Sequence, residues 1–117
     1  MSYDKEAAAA ADLHDEQFYR LANECTVEAW LSFLGHRWSA LILYHLSQGP
    51  KRFGELSACL PSVTAKMMSE RLLALQQRGL LERDGIHRDA AYMLTQRAQC
   101  LMPILDALEV WARPSVN

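Results

Sequence analysis

The chain has only three cysteines, five glycines and four prolines in 117 residues, and each scarcity removes a class of protein. Cys25, Cys59 and Cys100 are odd in number and far apart, so they make no disulfide framework. No CxxC or CxxxH spacing offers a zinc site, and neither a metal nor another cofactor is expected. Reduced thiols in a reducing compartment follow. The few glycines build no phosphate-cradling loop, and no Ser-His-Asp or paired-carboxylate pattern stands out. His14, His36, His45 and His87 are dispersed and read as surface or core residues, so the chain is not expected to be an enzyme. Long apolar runs are also missing. A membrane span needs roughly 18 to 20 apolar residues, and the longest stretch here, residues 38–46, is interrupted by Ser39 and His45. The N-terminus lacks an apolar run followed by a cleavage site, and the expected location is the cytoplasm.

What is present suits one hydrophobic core. Half the residues are hydrophobic and the aromatics are scattered along the chain, which opposes disorder. The net charge of −2 conceals a division: residues 1–28 hold seven acids and two bases, and residues 37–97 hold nine bases and five acids. The field near a binding face matters more to phosphate than the global sum. The expected organisation is a helical arm over residues 1–24 and a domain over residues 25–117.

Residues 5–21 are alanine-rich and free of Gly and Pro, with Asp4 placed to cap a helix. A second helix starts after Cys25 or Thr26 and ends at Gly35, and a third covers 37–47 before the breaker pair Gly49-Pro50. A short helix over 53–60 is closed by Pro61. From Thr64 to Arg78 the apolar residues Ala65, Met68, Leu72 and Leu75 recur on one face, and Gly79 ends the helix. Residues 80–83 and 91–94 read as strands around an Asp84-Gly85 turn. Thr95 caps a last helix reaching about residue 111, with Pro103 predicted to kink it.

The expected fold is therefore mainly α with a small β-hairpin, a winged helix-turn-helix. The helix over 53–60 supports, 61–63 turns, 64–78 reads and 84–90 forms the wing. A helix of this kind fits the major groove of duplex DNA. At 100° per residue, with Met68 as the buried centre, Lys66, Ser69, Glu70 and Gln77 face outward. Lys66 suits a phosphate or a guanine edge, and Ser69 a phosphate or either kind of base edge. Glu70 either accepts from a cytosine amino group or ties down Lys66. Leu73 also faces outward and is expected to pack on a neighbouring helix or the wing. Arg71, at the edge of the buried arc, either meets a phosphate or braces the fold through a carboxylate such as Glu55. His87 and Arg88 sit at the wing tip, where they would meet the DNA backbone. The competing reading is a winged helix that binds protein without sequence-specific DNA binding; the basic residues Lys51, Arg52, Lys66, Arg83 and Arg88 favour DNA.

More specific are Cys25-Thr26-Val27-Glu28, Leu34-Gly35-His36-Arg37-Trp38-Ser39 and Gly49-Pro50-Lys51-Arg52-Phe53-Gly54-Glu55-Leu56. Leu60-Pro61, Ser69-Glu70-Arg71-Leu72, Gly79-Leu80-Leu81-Glu82-Arg83, Tyr92-Met93-Leu94-Thr95 and Leu101-Met102-Pro103-Ile104-Leu105 continue in order. Over residues 25–111 the chain resembles the HxlR family of bacterial transcriptional regulators, relatives of the MarR-like regulators. The resemblance implies a dimeric winged-helix repressor or activator, held together by its N- and C-terminal helices on a pseudo-palindromic operator. It also implies a response to electrophiles, oxidants or small aromatic compounds. Thr64, Lys66, Ser69 and Arg71 fall on the family's recognition helix, Lys51 and Arg52 just before its supporting helix, and Arg88 in its wing.

Cys25 matches a position that is redox-responsive in some members of the family. A helix N-terminus there would acidify the thiol, Glu24 and Glu28 would oppose that, and the alternative is a small buried hydrophobe. Cys59 and Cys100 are expected to be structural, and Trp38 and Trp111 to anchor a core or an interface. Two departures from the family stand out: a shortened wing loop over 84–90, and Thr26 where proline often follows the cysteine. Finally, Leu101, Ile104, Leu105, Leu108 and Trp111 give the last helix more apolar surface than a lone helix can hide, which points to pairing across a two-fold axis.

Overall fold

The computed structural model describes residues 26–114; Cys25 and the alanine-rich segment expected over 5–21 lie outside them. By its contacts the chain divides into two units, Met1–His36 and Arg37–Asn117. In the first unit helix α1 covers residues 26–34. Trp30 and Phe33 meet edge to face, ring centroids 5.9 Å apart, a favoured aromatic geometry. Gly35 closes the helix where its N–H donates to the Leu31 carbonyl at 2.8 Å. A Cβ at Gly35 would stand 3.0 Å from that oxygen, so a larger residue would push the turn open.

The second unit runs α2 (Ser39–Leu46), α3 (Phe53–Cys59), α4 (Ala65–Gln77), β1 (Leu81–Arg83), β2 (Tyr92–Leu94) and α5 (Gln96–Ala112). This is the expected order, with boundaries shifted by two residues at most. The start of α2 shows why. Trp38 adopts φ 79°, the left-handed conformation, and is alone among the described non-glycine residues in doing so. An aromatic side chain pays for that conformation with about 1–3 kcal/mol of strain, and the helix begins only after it. Trp38 is half-buried, with the Arg37 guanidinium 5.0 Å from its ring centroid. Its Nε1 is buried without a hydrogen-bond partner.

Ile42 and Leu43 from α2, Leu56 from α3, Met68, Leu72 and Leu75 from α4, and Leu80 form the fully buried centre. The hairpin closes one side. Leu81 pairs with Leu94, Glu82 with Met93 and Arg83 with Tyr92, antiparallel. Strand alternation turns Leu81, Tyr92 and Leu94 into the core. Lys51 adds an isolated bridge on the other edge of β2, its N–H and C=O exchanging hydrogen bonds with Tyr92 at 3.0 and 2.7 Å. The chain two residues before α3 is thereby stitched to the hairpin.

Gly79, at φ 76°, ends α4. The Leu80 N–H returns to the Leu75 carbonyl at 3.0 Å and the Gly79 N–H to the Gln76 carbonyl at 2.9 Å, the paired bonds of a Schellman cap. Buried Leu75 and Leu80 complete it. Thr95 then joins two helix ends: its hydroxyl donates to the Gly79 carbonyl at 2.6 Å and accepts from the Ala98 N–H at 3.2 Å. This is the N-cap expected of Thr95.

Helix α5 runs unbroken through Pro103 and buries only Ala98. Trp111 is 80% exposed, so of the two roles expected for it, a core anchor or an interface anchor, the core of its own chain is ruled out. One expectation fails on this helix. Cys100 is exposed, because two residues beyond Ala98 a helix has turned about 200° to its other side. Cys59 is exposed as well; the core positions around it go to Leu56 and Leu60.

Candidate nucleic-acid interface

The site is built on α3, the turn after it, α4 and the hairpin. The Arg52 backbone N–H donates to Glu55 Oε1 at 2.7 Å, capping the start of α3. The chain turns through Pro61 and Ser62 with Leu60 and Val63 buried, and the Val63 N–H bonds the Leu60 carbonyl at 3.0 Å. Thr64 then caps α4, its Oγ1 accepting from the Met67 N–H at 3.1 Å. The Thr64 hydroxyl proton is left to donate outward.

Met68, Leu72 and Leu75 hold α4 against the core, while Lys66, Ser69, Glu70 and Gln77 are exposed. Ala65, placed by periodicity on the buried face, is exposed; it opens the helix ahead of the turn that reaches the core. Leu73 is 54% exposed and does not gain the cover expected from a helix or the wing, since it lies about 140° from Met68. Lys66 and Glu70 have no ion-pair partner among the described residues. The Lys66 ammonium is therefore available to an external anion.

Arg71 is half-buried, and its Nη1 lies 3.4 Å from the hydroxyl of Ser39, a fully buried residue at the start of α2. Glu55, the bracing partner considered from sequence, is engaged at the α3 cap instead. Lys51 is half-buried on the edge of the hairpin, and Arg52 is exposed beside it. The Arg52 guanidinium stands 3.6 Å from the Asp89 carboxylate on the wing.

The wing loop leaves β1 with the Asp84 N–H bonded to the Ala91 carbonyl at 2.8 Å. It turns at Gly85, φ 115°, and exposes Ile86, His87 and Arg88 before the Ala90 N–H bonds the His87 carbonyl at 3.0 Å. Beneath it, Arg83 Nη2 donates to the carbonyls of Arg88 at 2.8 Å and Ala90 at 3.1 Å. The same guanidinium lies 4.6 Å from the Tyr92 ring centroid. Sequence reasoning counted Arg83 only as a nearby charge. The available signal was an arginine and an aromatic at facing positions across the hairpin.

A polar helix face seated by a buried one, preceded by a short support helix and followed by a two-stranded hairpin, defines a winged helix-turn-helix. The profile of the HxlR-like helix-turn-helix family matches residues 33–117, and the chain belongs to that family of DNA-binding transcriptional regulators. The HTH-type transcriptional regulator YodB of Bacillus subtilis is 35% identical over 89 residues, covering 74% of this chain and 80% of its own. The reduced form of YodB superposes with a TM-score of 0.70 at 34% identity, over 74% of this chain and 88% of that one. Quinone-bound YodB gives 0.68 at 36% identity, over 74% and 94%. The redox regulator HypR in its oxidised form gives 0.67 at 31% identity, over 79% of this chain and all of that one. No helix among the described residues is long and apolar enough to cross a membrane.

Proposed function

We propose that this regulator binds a pseudo-palindromic operator as a homodimer and is released by an oxidant or electrophile. The carrying observation is α4: Lys66 and Ser69 are exposed on a helix whose opposite side is locked by Met68, Leu72 and Leu75. Lys66 and Ser69 meet base edges and phosphate, Thr64 donates its hydroxyl to a phosphate at the helix start, and Lys51, Arg52, His87 and Arg88 line the backbone on either side. Arg71 acts from behind, holding α4 to α2 through Ser39. The domain spans residues 25–117 and the arm residues 1–24.

The dimer contact is assigned to α5. Ile104, Leu108 and Trp111 are exposed at i, i+4 and i+7, one stripe of a helix about 25 Å long, and a second copy of the same stripe covers it across a two-fold axis. That symmetry sets two recognition helices about 34 to 36 Å apart, one DNA turn. The redox reading rests on Cys25 and on the kinship with YodB, solved in reduced and quinone-bound forms, and HypR, solved oxidised. The cytoplasm supplies the reducing background against which such a thiol reports.

Selection of bound sites from genomic DNA, with and without a mild thiol oxidant, tests the whole reading. Enrichment of palindromic duplexes that is lost on oxidation, and retained by Cys25→Ser, is the expected result. Failure to enrich any duplex would leave the protein-binding winged helix as the better account.

A further inference from the structure

Arg83 is an arginine with no acidic partner among the described residues, and its Nε is buried without a hydrogen-bond partner. A half-buried guanidinium held this way is poorly repaid in stability. What it does make is specific: one nitrogen reaches two carbonyls of the wing, those of Arg88 and Ala90, while the guanidinium carbon stands 4.6 Å from the Tyr92 ring centroid. Tyr92 is itself buried and fixed by backbone bonds to Lys51. The chain of contact therefore runs from the start of α3, through the Tyr92 ring, to the two carbonyls flanking Asp89.

We propose that Arg83 is the positioning residue of the wing. It does not touch DNA; it fixes the Arg88–Asp89 and Ala90–Ala91 peptide units, so that Arg88 is presented in one direction before DNA arrives. Without it, residues 84–91 are closed by two backbone bonds, Asp84 to Ala91 and Ala90 to His87, and by the exposed Arg52–Asp89 pair. Ordering such a loop on the duplex costs about 1–2 kcal/mol per residue fixed, and pre-ordering removes that cost from binding. Lysine is a poor substitute, because its ammonium is a point charge on a flexible stem and lacks the planar group that stands over the Tyr92 ring. The inference rests on the reading that the wing meets the DNA backbone through Arg88.

The test is operator binding by the full-length protein, followed by fluorescence anisotropy across a series of salt concentrations. The variants are Arg88→Ala, Arg83→Lys, Arg83→Met and Arg83→Met with Arg88→Ala, alongside amide hydrogen exchange of the free proteins. Arg88→Ala should lower the salt slope by about one, the loss of a single phosphate contact. Arg83→Lys and Arg83→Met should each lower the slope by a similar amount and weaken binding about threefold to tenfold, the scale of one ordinary hydrogen bond. The double variant should bind no worse than Arg88→Ala alone. Exchange should quicken over residues 84–91 in both Arg83 variants and stay unchanged in α4. A loss of folded fraction would lower apparent affinity but leave the slope intact. Arg83→Lys, which keeps charge and stem, carries the test should Arg83→Met fail to fold. Wild-type slope and exchange in Arg83→Lys, or additive losses in the double variant, overturn the proposal. An unchanged slope in Arg88→Ala overturns the wing reading instead, and quickened exchange in the Arg83 variants would then show a brace without a DNA contact.

Discussion

Helix α5 carries more apolar side chain than α4, and the two use it in opposite ways. Over 13 residues α4 buries Met68, Leu72 and Leu75. Over 17 residues α5 buries only Ala98 and exposes Ile104, Leu108, Val110 and Trp111. The first is seated on its own chain, and apart from Leu73 its outer face carries the polar residues Lys66, Ser69, Glu70 and Gln77. The second leaves its apolar surface exposed, the feature on which the proposed pairing of two copies rests. A reading helix needs internal anchorage; an assembly helix needs its anchorage elsewhere.

That contrast can be broken in order of expected effect. Leu72→Ala should cost about 2–5 kcal/mol of stability, the range for emptying a buried leucine site. Chemical denaturation measures it, and a loss near zero would mean that α4 is not seated as described. Placing glutamates at Ile104 and Leu108 together should weaken self-association about thirtyfold or more, as when a central interface contact is lost. Sedimentation velocity would then show monomers that keep the far-ultraviolet dichroism of the parent; an unmoved dimer would assign the interface to another surface.

Smaller effects sharpen the polar side. Lys66→Ala should weaken operator binding about tenfold and lower the salt slope by about one if the ammonium meets phosphate. A loss confined to one base position would assign it to a base edge instead. Asp89→Asn should strengthen binding by about twofold, because Arg52 no longer has to leave a carboxylate 3.6 Å away before meeting phosphate. Both partners are largely exposed, and surface pairs of this kind are weak. Anisotropy at low salt is the measurement, and weaker binding would show that Asp89 helps to hold Arg52 in place.

Much of the fold was legible because its punctuation is local. Thr64 and Thr95 carry the hydroxyl that an N-cap needs, Gly79 has the left-handed freedom that a Schellman cap needs, and the hairpin turns at Asp84-Gly85. The outward set Lys66, Ser69, Glu70 and Gln77 followed from helical period alone. Burial was read less well. Ala65 and Cys100 looked internal by pattern, yet a period gives only the angle around a helix, not how far along it the neighbouring element reaches. Leu73 and Trp111 looked in need of cover, and the chain leaves both exposed.

The sequence by itself determined the order of elements, where α4 begins and ends, and which of its sides is polar. Caps, breakers and periodicity act between residues a few positions apart. Tertiary structure alone decided that Arg71 serves Ser39, 32 positions away in the chain, rather than Glu55, and that Trp38 takes a left-handed backbone. It alone placed Arg83 beneath the wing. Each of these depends on which groups two separate segments bring within hydrogen-bond or stacking reach, and that distance exists only once the core has closed.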